Sequence, residues 1–570
     1  MPSTYWDRFT ARRISRRTLL RSAGVATAAT GAVWVVGCGG GTRAPSPTPG
    51  LPPQSGGLSE PDILNPLDPA GRGGRYAVSL NEPFDTFDPH LGVAGSTDFF
   101  PRLYNSLVHQ SPARAEFFFF DLAESYENPD PLTWSFKVRP GVRVAPNQLG
   151  VPERDLTGDD VVATFDRIGS DARTNNGSFV KQYVESVSVS GDVVTVRTSK
   201  PYAWFLSRLG SYFNTIPPRE LLATDTAMET MRVRSAGAGP YVLASSAEGE
   251  GARLERNPSY YRQDAPTGER LPFIDGIDAK IITDRSAART ALLSGQIHSY
   301  YTDGKSEADE IARDAGLYLE EIPGATFISA VMHPERPPFN DPRARRALAL
   351  ALNRDQYVDI IYEGDAKPDG LVHWTLGSYA YDGEELAQRQ PYDPAEARRL
   401  VEALGGMRVP FLYPAAVSLD QHESHLQVFQ EQMKAAGIEL EPAPFDLTTW
   451  LEKYVELDYV LTLALNQVYE TPELPLDFHR SGGPLADRSY SPGLGDPDVD
   501  VAVDRSKQTL DPDERKAAVL AAQDVIWSKE PAFLPLVTPY RYRAHSRKLH
   551  NMPAGIGTSH LWLTTMWLET

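Results

Sequence analysis

The chain holds a single cysteine, Cys38, set in "VWVVGCGGG" between an apolar run and three glycines. Thiolate is a strong side-chain nucleophile, so a lone cysteine is the first candidate for covalent chemistry. Glycine- and proline-rich surroundings cannot bury it as a core residue. The other reactive groupings fall short of a catalytic centre. There is no G-x-S-x-G, so a serine nucleophile on a strand-to-helix elbow has no support. "QHESHLQ" sets His422 and His425 three apart on an expected helix, which misses the H-E-x-x-H spacing that aims two imidazoles at one zinc. A solvent-facing helix is expected there instead. "DPDVDVAVDRSK" begins like a calcium loop with Asp496, Asp498 and Asp500, but Val501 stands where the loop needs glycine and Lys507 where it needs glutamate. No catalytic residue, metal site or cofactor follows from these residues, and the expectation is a protein that is not an enzyme.

The elements around Cys38 give it a different chemistry. Residues 1–37 run from a basic region ending at Arg21, through an apolar run from Ala23 to Val36, to small residues before the cysteine, which is the layout of an export signal. The apolar run is shorter than the roughly 20 residues of a spanning helix. "SRRTLLR" resembles the twin-arginine export signal, with Arg16 and Arg17 as the pair, and "VVGC" resembles the bacterial lipobox, whose cysteine takes a diacylglyceryl group as a thioether before cleavage on its N-terminal side. These likenesses imply a twin-arginine-type lipoprotein signal peptide over 1–37 and lipidation at Cys38. Two or more acyl chains hold a protein stably on a membrane where one is marginal. Residues 38–74 then comprise the lipidated cysteine and a Gly/Pro/Ser-rich tether. Its stretch "GGGTRAPSPTPGLPPQSGGLSEPD" has a root-mean-square reach of about 25 Å. The expected location is extracytoplasmic, on the cell membrane through the lipid anchor.

At 570 residues the chain exceeds a typical single domain, so two or more lobes are expected. The net charge is −19, and the first 37 residues hold six arginines against one aspartate, leaving the remainder at −24. A body of that sign is repelled by phosphate backbones, which excludes nucleic acid as a partner.

Strand patterning appears in "RYAVSLN", where Tyr76, Val78 and Leu80 alternate, and in "TWSFKVRPG", where Trp134, Phe136 and Val138 alternate before a Pro-Gly turn. "VSVSGDVVTV" reads as a hairpin turning at Ser190-Gly191-Asp192. "EFFFFDL" reads as a buried strand. Helix starts are marked by Asp341-Pro342, Asp393-Pro394 and Asp511-Pro512, since aspartate accepts free first-turn amides and proline has no amide to leave unpaired. Glu396 and Glu514 complete capping-box patterns. Strands and helices are mixed throughout, giving an α/β or α+β class.

Six segments in order carry a resemblance. "DLAESYENPDPLTWSFKVRPGVRV", "LTGDDVVATFDRI", "GAGPYVL" with "ARLERNPSYY", "IDAKIITDRSAARTALLSGQIH", "PPFNDPRARRALALALNRDQYVDIIYEGDAKP" and "DPDVDVAVDRSKQTLDPDERKAAVLAAQDVIWSKEPAFLPL" resemble the segments of the family 5 extracellular solute-binding proteins, the oligopeptide, dipeptide and nickel type that feed ABC importers. The resemblance implies an α/β two-lobe clamp, periplasmic-binding-protein-like of type II, cluster C-like. Lobe I would take 75–325, with an extra subdomain at about 110–216, and 535–570; lobe II would take 326–534. It further implies a monomeric receptor that closes on a small peptide or other polar solute and delivers it to the permease subunits of an ABC importer. An exported lipoprotein hydrolase, and a clamp serving a sensor instead of a transporter, are the alternatives.

The resemblance also points to ligand residues. In peptide-binding relatives, an aspartate in a "DYxEP"-like segment of lobe II holds the peptide's ammonium group. Here "LNQVYETPEL" places Val468, or with a one-residue gap Gln467, at that position, so the anion is missing unless Glu470 substitutes. Asn466, Gln467 and Tyr469 suit a neutral polar ligand. Phe84 and Phe87 in "NEPFDTFDPH" occupy a loop that lines the pocket in relatives, and Trp374, Tyr379 and Tyr381 in "HWTLGSYAY" offer an opposite aromatic wall or core packing.

Overall fold

Alternating Tyr76 and Leu80 bury one face of β1 (Arg75–Leu80), the first strand of a large mixed sheet. A computed structural model describes residues 72–569 apart from 82, 85, 93–95, 112–113, 172, 224–227, 229–234, 248, 264–267, 303, 415–421, 468, 470, 483–492 and 553–563. Arg16, Arg17, Cys38 and the tether, as well as Val468 and Glu470, lie outside the described residues, as do the side chains of His422 and Gln467.

After β1 the chain leaves the large sheet for an insertion. It starts with the hairpin β2 (Val108–Ser111) and β3 (Arg114–Phe120), in which Phe119 of the phenylalanine run is buried. A separate antiparallel sheet follows, built from β4 (Ala123–Asp130), β5 (Thr133–Val138), β6 (Val184–Ser190) and β7 (Val193–Thr198) in the order β4-β5-β7-β6. Its core is the pattern read from the sequence. Trp134 pairs with Val196 and Phe136 with Val194, and all four are buried, the kind of cross-strand pair that stabilises a sheet. Helix α1 (Gly158–Ser170) starts at a capping box between Thr157 and Asp160, and short α2 (Phe205–Leu209) sets Phe205 5.0 Å from the Trp134 ring. An antiparallel bridge between Asn105 and Ile216 closes the insertion at its base.

The large sheet resumes with β8 (Tyr241–Ala247), β9 (Gly251–Arg256), β10 (Gly276–Ile281), β11 (Ser299–Thr302) and β12 (Leu317–Pro323). Its second half contains β13 (Thr326–Met332), β14 (Ala366–Pro368), β15 (Met407–Pro414), β16 (Ile438–Phe445) and β17 (Leu461–Gln467). The last long strand, β18 (Phe533–Ser546), belongs to both halves. Up to Pro539 it pairs with β13 and β14; from Tyr540 it pairs with β12 and then β11. The sequence boundary at 534/535 thus falls inside one unbroken strand. The chain crosses a second time at Gly324, whose amide donates to the carbonyl of Pro539 at 2.9 Å. A Cβ at Gly324 would lie 2.3 Å from that oxygen, so the two crossings touch where only glycine fits.

Helices pack the second half. Those starting at the expected Asp-Pro pairs are α3 (Pro342–Ala351), α4 (Pro394–Ala403) and, after α5 (His422–Ala435), α6 (Glu473–Asp477) and α7 (Pro497–Gln508), also α8 (Pro512–Ser528). Asp341, Asp393 and Asp511 each accept a first-turn amide, and Asp496 does the same for α7, so the stretch read as a failed calcium loop is a helix start. Ala344, Ala347, Leu348 and Ala351 join Ala397, Val401, Val409 and Phe411 in one core. α5 departs from its expected solvent-facing character: His425 is buried, with Nε2 2.8 Å from the Tyr362 hydroxyl.

Candidate functional site

Three strand ends of the second half meet beside the crossing. β13 begins there with Thr326 and Phe327, β17 ends there with Asn466 and Gln467 opposite them, and the chain leaves β14 there into residues 369–376. Between them lies a small cavity of about 10 Å³, room for about one water. Phe327, Leu371, Leu376 and Pro475 form apolar walls, the Tyr469 ring adds a further one, and Asp369 and His373 supply the polar lining. Tyr469 is half-buried and held from behind by Phe478 at 5.8 Å, which stacks on Phe533 at 4.8 Å.

The polar residues form a directed relay. Thr375 donates its amide to His373 Nδ1 at 3.2 Å, which places the ring proton on Nε2. Nε2 faces the Thr538 hydroxyl at 3.1 Å, and that hydroxyl donates to Asp369 Oδ2 at 2.8 Å. The amide of Gly370 donates to Asp369 Oδ1 at 3.0 Å. Asp369 is 1% exposed and His373 4%. Burial holds the imidazole below its ordinary pKa against the pull of the Asp369 carboxylate, so His373 is neutral at neutral pH.

The residues singled out from the sequence do not gather at one place. Tyr469 lines the cavity, while Asn466 pairs with Phe327 across the strands and commits its amide to Ser329 at 2.6 Å and to the Ala464 carbonyl at 3.3 Å. Gln467 pairs through its backbone with Thr326. Phe84 and Phe87 sit elsewhere, in a trio with Phe99 at 5.1 to 5.2 Å, and Phe87 is 1% exposed. Trp374 lies against Tyr540 at 5.8 Å, under Lys367 at 5.0 Å.

Tyr379 belongs to a different contact, between the insertion and the second half. Its buried ring meets Trp204 edge-on at 5.4 Å, and the Arg515 guanidinium lies 4.9 Å over Trp204. Beside it, the Tyr202 hydroxyl donates to Glu473 Oε1 at 3.0 Å, with Arg208 at 4.0 Å, and the Ala203 amide donates to the Lys507 carbonyl at 2.6 Å. Glu473 is fully buried, and burial raises its pKa. Lys507 pairs with buried Asp477 directly beneath. This contact bridges residues some 270 positions apart, and neither Tyr202 nor Glu473 stood out in the sequence.

Asp369, His373 and Thr538 were also missed. The one available signal was a carboxylate followed by glycine and histidine, "DGLVH", just after the short β14. Among the described residues no three His, Cys, Asp or Glu side chains are grouped to hold a metal ion, and no helix is long and apolar enough to cross a membrane.

Comparison with known proteins places this geometry. The family model described as "Bacterial extracellular solute-binding proteins, family 5 Middle" matches residues 120–481. The glutathione-binding protein GsiB of Salmonella typhi is 24% identical over 514 residues, covering 83% of this chain and 90% of that one. Among solved structures, the periplasmic binding protein DppA of Helicobacter pylori, in complex with the peptide STSA, superposes with a TM-score of 0.73 at 20% identity, over 88% of this chain and 99% of that one. MoaA of A. tumefaciens R10, in complex with mannopinic acid, does so with a TM-score of 0.70 at 22% identity, over 87% and 100%. The fold is the two-lobe α/β architecture of these binding proteins. With its family model matched over more than half its length, the chain belongs to the family 5 bacterial extracellular solute-binding proteins.

Proposed function

We propose that the protein is the extracytoplasmic receptor of an ABC importer, capturing a small peptide or other polar solute between two lobes and releasing it unchanged. The observation that carries this reading is the position of the cavity. Its lining belongs to lobe II, at the strand ends near the crossings at 324 and 539, the side on which lobe II meets lobe I in this reading. In this reading lobe I comprises 75–325, with its subdomain, and the C-terminal part of β18 onward, and lobe II comprises the second half of the sheet with its helices. Hinge closure is a population shift: a solute binding both lobes favours the closed state, which the permease reads. Contacts of Tyr202 and Trp204 with Glu473 and Arg515 belong to that closed state. GsiB is named for glutathione, DppA is solved with a peptide and MoaA with mannopinic acid, so small amino-acid conjugates are the class to screen. Residues 1–37 serve as the export signal, and lipidated Cys38 holds the monomeric receptor on the membrane.

The test is thermal denaturation of the mature body with di- and tripeptides, glutathione and mannopinic acid, and product analysis in parallel. Solute at about 100 times its Kd stabilises the folded form by about 2.7 kcal/mol. A melting shift with one of these solutes and no product supports the receptor. Hydrolysis without any shift rejects it.

A further inference from the structure

The contact between the insertion and the second half contains one carboxylate unlike its neighbours. Lys507 pairs with Asp477, and Arg480 holds Asp504 with two bonds of 2.9 and 3.0 Å, so each of these acids has a cation from its own half. Glu473 does not. Among the described residues its ion-pair partner is Arg208 of α2, in the insertion, which stays 4.0 Å away and donates Nε to the Tyr202 hydroxyl at 3.3 Å. That hydroxyl donates to Oε1, and among the described residues no hydrogen bond reaches the buried Oε2.

Burying an ion without a direct counter-charge disfavours its charged form. Burial accordingly holds the Glu473 carboxyl above its ordinary 4.5, against the pull of Arg208. Tyr202 and Arg208 lie on the insertion and Glu473 on the other lobe, so lobes that separate would return Glu473 to water. A carboxyl that binds its proton more tightly closed than open favours closure as the pH falls towards 4.5, and adds nothing further below it. The groups around it behave differently between pH 7 and pH 5. Burial keeps the Tyr202 and Tyr183 phenols protonated, and it holds His479 at about 3, hence neutral. Arg208 and Arg480 remain cations, and Arg515 faces the Trp204 ring. Lys200 lies 4.4 Å over the Tyr183 ring, and Asp504 is held below its ordinary value. Asp477, also raised by burial, has Lys507 from its own half whether the lobes are open or closed.

We infer that closure of the insertion onto lobe II takes up a proton at Glu473, so that the receptor holds its solute more tightly in acidic surroundings. The proton comes from solvent and goes to Oε2, while the Tyr202 hydroxyl keeps its bond to Oε1. The inference rests on the receptor reading and adds a proton to its closing step.

Calorimetric titration of the mature body with Ala-Ala, Ala-Ala-Ala, glutathione and mannopinic acid, at pH 7 and pH 5, reads the coupling. Two buffers of different ionisation enthalpy at each pH count the protons taken up directly. Glu473→Gln keeps the shape of the protonated acid and is checked for folding by its urea midpoint. The solute's own titration is common to both proteins, so their difference reports Glu473. The ratio of wild-type to Glu473→Gln Kd should fall at least about threefold from pH 7 to pH 5, and the wild type alone should take up the extra fraction of a proton. If Glu473→Gln does not fold, Tyr202→Phe decides. Removing a donor that favours the charged carboxylate should move the gain in affinity to higher pH. A ratio that does not change with pH, or no upward move in Tyr202→Phe, overturns the inference and leaves the receptor reading standing. No binding of any solute in the panel overturns both.

Discussion

Replacing Tyr202 by phenylalanine tests whether its hydrogen bond to Glu473 forms only when the proposed lobes close on a solute. Tyr202 is fully buried, its hydroxyl donates to Glu473 Oε1 at 3.0 Å, and it accepts from Arg208 Nε at 3.3 Å. Burial raises the phenol pKa far above its ordinary value, so the group is a neutral donor at any working pH. Hydrogen bonds to charged groups contribute about 1.5 to 3 kcal/mol, and Arg208 remains near the carboxylate to soften the loss. A loss of about 2 kcal/mol converts to a factor of about 30 in affinity. If the lobes separate without ligand, the hydroxyl bond is absent in the free protein, and the loss appears in binding alone. Tyr202→Phe should then raise the Kd of the best solute about 30-fold by calorimetry and leave the ligand-free melting temperature unchanged. A permanent contact gives the reverse pattern. For a body of this size about 2 kcal/mol corresponds to about 2 °C, so a ligand-free melt lower by that amount with an unchanged Kd would refute the closure account.

Other outcomes follow from single residues. Gly324→Val places a branched side chain against the Pro539 carbonyl, 2.3 Å from where its Cβ would sit, and should destabilise the protein by about 1 to 3 kcal/mol, read from the urea midpoint. His545 is held to about 4 by burial, and a histidine depressed in this way contributes stability above pH 6.5 that is lost as pH falls toward 4. His545→Gln should therefore flatten the slope of the urea midpoint between pH 6.5 and 4; an unaltered slope contradicts the assignment. Cys38→Ser should fold normally yet leave the membrane fraction of the expressing cells, as an immunoblot of separated fractions would show.

Local signals carried far along the chain, and long-range ones did not. The Asp-Pro starts at Asp341, Asp393 and Asp511 needed only their own first turns, and Trp134, Phe136 and Val138 announced a buried face by alternation alone. The ordered family segments supplied the architecture that such patterns leave open. The site was less legible because its partners are distant: Asp369 meets Thr538 across 169 positions and Tyr202 meets Glu473 across 271. Nothing in the neighbourhood of either residue encodes that meeting. His425 shows the same gap at shorter range, since a polar helix segment became buried once Tyr362 offered its hydroxyl. Tyr379 was visible as an aromatic, but its role in meeting Trp204 depended on how the insertion folds back.

Native mass spectrometry of the mature body incubated with di- and tripeptides, glutathione and mannopinic acid tests the central claim most directly. The account predicts a one-to-one complex from which the solute is recovered with its mass unchanged. Absence of any complex, or recovery of a cleaved solute, would contradict it.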